Sequence, residues 1–201
     1  MTDHEPIAEK TDEELARDAR AGSRRSFEEL ACRYKRRLFV YLRPRLGSDE
    51  DAEDMVQDTF LKLYRNIGSY DPAYRFSTWL YTSASRLAID SFRKNAAGRE
   101  KSAAPPEPDI ADPAGRSEIE GGATGVWDVA KTLGGDRYRA LWLRYGEDMT
   151  VEEIAAVLGR SGLAVRVLLH RARTSLVGRL GPDAGRAAQT RSGMARQAAG
   201  D

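Results

Sequence analysis

Apolar residues recur at steps of three and four along several stretches of the chain, which predicts amphipathic helices. The pattern is clearest over residues 49–67, where Ser48 can cap the start and acidic residues crowd the first turns. The predicted inward face of this acidic helix comprises Ala52, Met55, Val56, Thr59, Phe60, Leu63, Tyr64 and Ile67.

The same periodicity divides the chain into two helical units. In residues 11–96, Thr11 and Glu14 form a capping box, and Pro44 with Gly47 is expected to close the second helix. Residues 1–10 are expected to fray. Residues 97–125 are rich in Ala, Gly, Pro, Ser and Glu and predict a flexible linker, residues 126–180 a second unit, and residues 181–201 a disordered tail. The predicted fold is all-α, with two small helical domains joined by that linker.

The outer face of the acidic helix carries a second stripe. Asp54, Gln57, Asp58, Leu61 and Arg65 line it, opposite the apolar face. One interpretation is a surface that docks on a basic and partly apolar partner. The alternative is an ordinary solvated face with one stray leucine, and this helix taken alone favours that alternative.

The second unit contains a pattern typical of a helix-turn-helix. Thr150 and Glu153 form another capping box, and a turn at residues 159–162 leads into a helix that Ser161 can cap. A basic second helix suits the major groove of DNA, whereas the alternative is a hairpin with a solvated basic face. Its outward side is predicted to carry Ala164, Arg166, Val167, His170, Arg171 and Arg173.

Residues 70–94 interleave aromatic and basic side chains, a composition that can bind single-stranded DNA by stacking and by phosphate contacts. The alternative is that the aromatic rings fill the core, which we favour for Trp79. For the loop residues Tyr74 and Arg75, and for the start of the following helix, we favour contact with melted DNA.

Charge and composition narrow the functional classes. The formal net charge is only +1, but residues 49–58 hold six acids and no base, and residues 160–179 hold five arginines and no acid. Cys32 is the single cysteine, which excludes a disulfide framework and fits a reducing compartment. No signal peptide or membrane-spanning run is evident, so a cytoplasmic protein without membrane insertion is expected.

Catalytic signatures are missing from the sequence. The two histidines, His4 and His170, have no plausible acid or metal partner nearby, and neither a phosphate-binding glycine loop nor a Gly-x-Ser-x-Gly motif occurs. We therefore expect no enzymatic activity, no metal site and no cofactor.

Three segments in this order resemble the extracytoplasmic-function (ECF) group of sigma-70-like bacterial RNA polymerase sigma factors. DAEDMVQDTFLKLYRNI resembles the segment that docks on the clamp helices of the polymerase β′ subunit. FSTWLYTSASRLAIDSFRK resembles the promoter-melting and −10 reading segment, and TVEEIAAVLGRSGLAVRVLLHRARTSL the −35 reading helix-turn-helix. The resemblance implies a non-catalytic transcription initiation factor that binds core RNA polymerase and promoter DNA and is held by an anti-sigma factor. It also implies that the linker passes through the polymerase toward the RNA exit path.

Carried over by position, the resemblance implies three sets of site residues. The residues implied to bind polymerase are Asp54, Gln57, Asp58 and Leu61. Binding of the −10 element falls to Tyr74, Arg75, Phe76, Ser77, Arg86, Arg93 and Lys94. Binding of the −35 element falls to Arg160, Ser161, Arg166, Val167, His170, Arg171 and Arg173.

The sequence departs from the family pattern at several of these positions. Ser85-Arg86 replaces the usual Arg-Asn of the melting helix, and Gly134-Gly135 replaces a proline. Ala164 removes a hydroxyl, and Val167 and Leu168 stand where polar residues are usual. Two rival hypotheses stay open. A stand-alone regulator of duplex DNA would follow if the acidic stripe were merely solvated, and an interaction module would have the main role of being held by an inhibitor.

Overall fold

The computed structural model describes residues 7–99 and 124–180, and all regular secondary structure within these residues is helical. The predicted all-α fold is confirmed. The eight α-helices are α1 (Asp12–Arg20), α2 (Arg24–Leu46), α3 (Asp49–Arg65), α4 (Phe76–Arg99), α5 (Thr124–Lys131), α6 (Gly135–Leu141), α7 (Val151–Leu158) and α8 (Gly162–Leu180). One-turn helices at Ile7–Glu9, Ile67–Ser69 and Trp142–Gly146 complete the described chain.

Local signals set the helix starts. Both predicted capping boxes form: Glu14 and Thr11 exchange hydrogen bonds at the start of α1, and Glu153 and Thr150 do so at the start of α7. Ser48 accepts a hydrogen bond from the amide of Asp51 at 3.0 Å and thereby caps α3. These caps satisfy amide groups that have no partner inside the helix.

Helix α2 ends at Gly47 as predicted, but Pro44 does not interrupt it. Pro44 was expected to close the helix, but α2 continues through it to Leu46 and ends at Gly47, whose φ is 87°. Proline lacks the amide hydrogen that would bond to the carbonyl of Val40. That carbonyl instead accepts a hydrogen bond from the Tyr138 hydroxyl at 3.0 Å, so a distant residue replaces the missing bond.

Residues 7–10 are ordered, contrary to the expectation of fraying, and the rest of that expectation concerns residues 1–6, which lie outside the described residues. Ile7–Glu9 form a single 3₁₀ turn against α2. Arg33 holds this turn because its guanidinium donates hydrogen bonds to the carbonyls of Ile7, Ala8 and Lys10 and to the carboxylate of Asp12.

Helices α1–α4 pack into one unit and α5–α8 into another, and the buried residues of both form a continuous core. In the first unit the core side of α2 carries Phe27, Leu30, Tyr34, Leu38, Tyr41 and Leu42. In the second unit α8 buries Val165, Leu169 and Ala172 against α6 and α7. Tyr145, in the turn that follows α6, is 52% exposed.

The two units contact each other through α2 with α6 and α4 with α7. Arg139 on α6 is buried at this contact, where its guanidinium donates to the Tyr41 hydroxyl at 2.9 Å and to the Ser85 hydroxyl at 2.8 Å. A third bond joins it to Asp136 of its own helix at 3.1 Å. Burying a guanidinium is costly unless its donors are satisfied, so these bonds make the contact specific.

Glu147 forms a second buried polar contact between the units. It follows a single π-helical turn, Trp142–Gly146, and its carboxylate accepts a hydrogen bond from Nε of Arg37 on α2 at 3.0 Å. Gly146 allows this turn to be tight, because a Cβ atom there would lie 3.3 Å from the Trp142 ring. Burial raises the pKa of Glu147 and outweighs the opposite effects of Tyr81 and Arg37.

The predicted linker spans residues 97–125, but residues 97–99 belong to α4 and residues 124–125 to α5. The rest of it, residues 100–123, and the predicted tail, residues 181–201, lie outside the described residues. Among the helices that the structure describes, none has both the length and the apolar character that crossing a bilayer requires.

Replacing Arg139 with alanine should lower the free energy of unfolding by about 1–3 kcal/mol, because it removes the buried donor while Tyr41 and Ser85 still bond to each other at 2.9 Å. Denaturant titration of the full chain measures this change. The matched control is Arg137→Ala, an exposed arginine on the same helix, and equal losses in the two variants would contradict the assigned role of Arg139.

Glu147→Gln should alter the dependence of stability on pH. The pKa of Glu147 is higher in the folded chain than its ordinary value of 4.5, so above pH 4.5 the folded state retains a proton that the unfolded state releases. The free energy of unfolding of the wild type should therefore fall relative to the variant as the pH rises from 4.5. Denaturant titrations of both proteins at several pH values measure the free energy of unfolding. If the two proteins show the same dependence on pH, Glu147 does not contribute to that dependence.

Candidate functional site

The outer stripe of α3 is a surface that the bundle leaves accessible. Asp54, Gln57, Asp58 and Arg65 are exposed, and Leu61 is 44% exposed. Within the described residues Asp54 and Asp58 form no ion pair. The predicted orientation of these side chains is confirmed. Tyr64 differs from expectation, since it is 47% exposed, although one edge packs on Phe27 with ring centroids 5.1 Å apart.

The loop before α4 presents one aromatic and one basic side chain. Tyr70 is buried, and its hydroxyl donates to the carbonyl of Tyr74 at 2.7 Å, which fixes the loop. Asp71 tightens the turn by accepting a hydrogen bond from the amide of Ala73 at 2.9 Å. As a result, the Tyr74 ring is 65% exposed and Arg75 also lies at the surface.

Two residues that the resemblance assigned to the −10 element are not accessible in this structure. Phe76 is fully buried, with its ring 5.7 Å from Tyr34, 6.0 Å from Tyr70 and 6.0 Å from Trp79. Ser77 is also buried. The physical reason is that the first turn of α4 inserts into the core, so we correct the assignment of both side chains to base contact.

The remaining −10 candidates differ in their surroundings. Arg75 donates to the carbonyl of Asp148 at 3.3 Å and lies 3.9 Å from the carboxylate of Glu153. Arg86 and Arg93 are exposed on α4, and the side chain of Lys94 lies outside the described residues. Arg75 is thus held by the second unit, whereas Arg86 and Arg93 lie at the surface.

Glu153 links the loop to the second unit. Its carboxylate caps α7 and also accepts a hydrogen bond from the Thr78 hydroxyl at 3.0 Å. Burial opposes ionisation, but the hydrogen bonds from Thr150 and Thr78 and the charge of Arg75 together lower the pKa of Glu153. Glu153 therefore caps α7 and also forms part of the contact between the units.

Helices α7 and α8 form the predicted helix-turn-helix. Gly159 ends α7 in the left-handed region with φ 63°, a conformation that side chains disfavour. Ser161 is occupied as the cap of α8, because its hydroxyl accepts a hydrogen bond from the amide of Ala164 at 3.2 Å. The inward side of α7 buries Ile154 and Val157.

The basic side of α8 is exposed as predicted. Arg166, Val167, His170, Arg171 and Arg173 all lie at the surface. Arg166 lies 3.6 Å from Glu152. Such a row of cations can bind phosphates, and its N-terminal half can reach base edges.

Arg160 at the turn forms an ion pair with Asp136 of α6. Asp136 is partly buried, yet its hydrogen bond with Arg160 and the charge of Arg139 lower its pKa. Asp136 thereby joins the helix-turn-helix to the buried Arg139.

Arg139 and Glu147 were missed by the sequence analysis. A signal for Arg139 existed, because it lies within an otherwise apolar stretch that includes Tyr138, Leu141 and Trp142. A charged residue in such a stretch indicates a buried, paired group. For Glu147 we find no comparable signal, since its burial depends on a residue far away in the sequence, Arg37.

Two family models match the chain. Sigma-70 region 2 matches residues 30–98, which cover α3, the loop and α4, and sigma-70 region 4 matches residues 131–176, which cover the helix-turn-helix. The RNA polymerase sigma factor CarQ of Myxococcus xanthus is 34% identical over 159 residues, which are 76% of this chain and 87% of CarQ.

Solved structures agree with these matches. CnrH, in complex with the cytosolic domain of CnrY, is similar with a TM-score of 0.59 and 27% identity, covering 84% of this chain and 96% of CnrH. The sigma factor RpoE of Bartonella quintana, at 20% identity and a TM-score of 0.60, shares the fold and covers 77% of this chain and 96% of that one. The chain therefore belongs to the ECF group of sigma-70 RNA polymerase sigma factors, which are non-catalytic initiation factors that direct RNA polymerase to promoters.

Proposed function

We propose that this sigma factor binds polymerase, the −10 element and the −35 element with three separate surfaces. The observation that carries the proposal is the exposure of the acidic stripe on α3 at a distance in sequence from the basic side of α8. The two surfaces carry opposite charge, so one suits a basic protein and the other a polyanion. Residues 11–96 form the first functional domain and residues 126–180 the second, with residues 97–125 as the tether and 181–201 as a tail.

The polymerase surface consists of Asp54, Gln57, Asp58 and Leu61 and faces the β′ clamp helices. Leu61 supplies an apolar anchor, and the two carboxylates around it favour a basic partner. The support from the structure is that packing within the chain does not require any of these four side chains.

The −10 surface consists of Tyr74 and Arg75 in the loop, with Arg86, Arg93 and Lys94 tracking the strand along α4. An exposed aromatic ring beside a guanidinium can stack on an unpaired base and hold its phosphate. Phe76 and Ser77 support this surface from inside the core by fixing where α4 begins.

The −35 surface consists of the turn and the outer side of α8. Arg160 and Ser161 lie at the turn, followed by Arg166, Val167, His170, Arg171 and Arg173. In a helix-turn-helix the N-terminal half of the second helix meets base edges and the flanking basic groups meet phosphate.

Use of the −10 surface requires that the two units separate locally. Arg75 is engaged by Asp148 and Glu153, both of the second unit, and the adjacent Thr78 bonds to Glu153. Tethering keeps the separated units at a high effective concentration, so that two moderate DNA contacts act together.

The protein acts in the cytoplasm, where RNA polymerase works, and inserts into no membrane. An anti-sigma factor holds it in the absence of a signal. The support for such a partner is that the sigma factor RpoE of Bartonella quintana, which shares this fold, was solved in complex with the anti-sigma factor NepR.

The variant Asp58→Arg/Leu61→Ala should lose run-off transcription with purified core polymerase and should bind that polymerase at least about thirtyfold more weakly, the change that an interface hot spot of about 2 kcal/mol gives. Both residues lie off the core side, so helical content by circular dichroism should not change. Promoters for this assay are genomic fragments retained by wild-type holoenzyme.

The matched control is Asp128→Arg/Val126→Ala, which makes the same charge reversal and a similar aliphatic truncation on the exposed side of α5, at the cost of the exposed ion pair between Asp128 and Lys131. It should transcribe like the wild type. The docking assignment fails if the first variant binds polymerase normally. The broader proposal fails if wild-type holoenzyme yields no promoter-dependent transcript, or if the chain alone binds the same fragments tightly and specifically.

Arg166→Ala should weaken promoter binding by about 1–3 kcal/mol at one base pair and relax the preference there, because that side chain lies where base edges are read. Arg171→Ala should instead weaken binding to all sequences alike and reduce the salt dependence by about one counterion, as loss of a phosphate contact does. Binding of holoenzyme to the promoter and its single-base variants distinguishes the two patterns. Equal effects of Arg166→Ala on every sequence would place this arginine on phosphate.

A further inference from the structure

The outer side of α8 has an apolar ridge at its N-terminal end, formed by Leu163 and Val167. They lie on one line of the helix with His170 and Thr174, because the four residues follow at spacings of four, three and four. The first two are large aliphatic side chains, with Leu163 70% exposed and Val167 42% exposed. The opposite side of the helix, with Val165, Leu169 and Ala172, is buried. The ridge is therefore not required for the core.

The surroundings of the ridge are basic. Arg166 lies on one side of it and Arg171 on the other, both exposed, and Arg160 precedes the helix. The cations can hold two DNA backbones while the aliphatic side chains between them face the floor of the groove. This charge arrangement favours duplex DNA as the partner that covers Leu163 and Val167.

Leucine and valine can neither donate nor accept a hydrogen bond, so they cannot read the polar edges of guanine, adenine or cytosine. The apolar group that a base presents in the major groove is the C5-methyl of thymine. We infer that Leu163 is a further specificity-determining residue, and that with Val167 it selects thymines in the −35 element through their methyl groups. This inference rests on the proposed −35 role of α8 and names the bases that the site accepts.

Helix geometry sets the spacing of the selected bases. Residues four apart are about 6 Å apart along the helix axis, which corresponds to roughly two base-pair steps of about 3.4 Å each. The two thymines should therefore lie within about two steps of each other, on one strand or on both.

The test compares thymine with uracil, which differs only by the absence of the methyl group. Wild-type holoenzyme first selects bound duplexes from a library with a randomised upstream element, and one selected promoter is then synthesised with uracil at each upstream thymine in turn. Uracil should weaken holoenzyme binding about fourfold at each of two positions, the change expected for losing contact with one methyl group. Uracil at other positions should have no effect.

Variants connect each position to a side chain. Leu163→Ala should remove the difference between thymine and uracil at one position, and Val167→Ala should remove it at the other. Val177→Ala is the matched control, since this valine is also exposed on α8 but lies more than two turns beyond Val167. It should keep both differences.

Each outcome has one meaning. A selected upstream element without these thymines, or thymines whose replacement by uracil changes nothing in the wild type, overturns the inference while promoter recognition stands. A uracil effect that persists in both alanine variants overturns the assignment to Leu163 and Val167. If wild-type holoenzyme selects no upstream sequence at all, the proposed −35 function fails, and the inference fails with it.

Discussion

The buried guanidinium of Arg139 constrains the arrangement of the whole chain. Its donors are satisfied only when the second unit lies against Tyr41 and Ser85 of the first. On its other side Arg139 bonds to Asp136, which pairs in turn with Arg160 at the turn of the helix-turn-helix. A continuous polar chain thus runs from α4, which carries the proposed −10 residues, to the proposed −35 reader. Each member of this chain satisfies a polar group of the next member.

The contact between the units combines apolar packing with buried polar groups. Arg37 with Glu147 and Thr78 with Glu153 flank a shared core. Buried polar contacts of this kind add little net stability compared with apolar packing, but they penalise any misaligned arrangement. Such an interface defines one closed arrangement, and the proposed use of Arg75 at the −10 surface requires that it opens locally.

Local features of the fold were predictable from the sequence, because they depend on neighbours within one helical turn. The capping boxes at Thr11 and Thr150 and the outward stripe of α3 are examples. Features that depend on distant partners were not. The Tyr138 hydroxyl bonds to the backbone carbonyl that Pro44 leaves without a partner. The buried Arg139 is satisfied by hydroxyl groups on α2 and α4. The side chains of Phe76 and Ser77 illustrate the same limit. Their place in the motif assigned them to the −10 segment, but it did not indicate that they are buried.

The apolar ridge of α8 shows how a departure from a family pattern can be informative. Val167 alone is a weak sign, because single exposed apolar residues are common on protein surfaces. Together with the 70% exposed Leu163 four residues earlier, it forms a directed surface between two cations. The exposure of both side chains in the structure is the observation on which the proposed preference for thymine rests.

The placement of Trp142 gives the chain a built-in optical reporter. Its indole is 9% exposed, packs 5.0 Å from the Trp127 ring, and borders Tyr81 of the first unit and the carboxylate of Glu147. Parting of the two units would hydrate this indole and move it away from the phenol. Its emission would then shift to longer wavelength, so opening of the contact would change the intrinsic fluorescence to which Trp142 contributes together with Trp79 and Trp127.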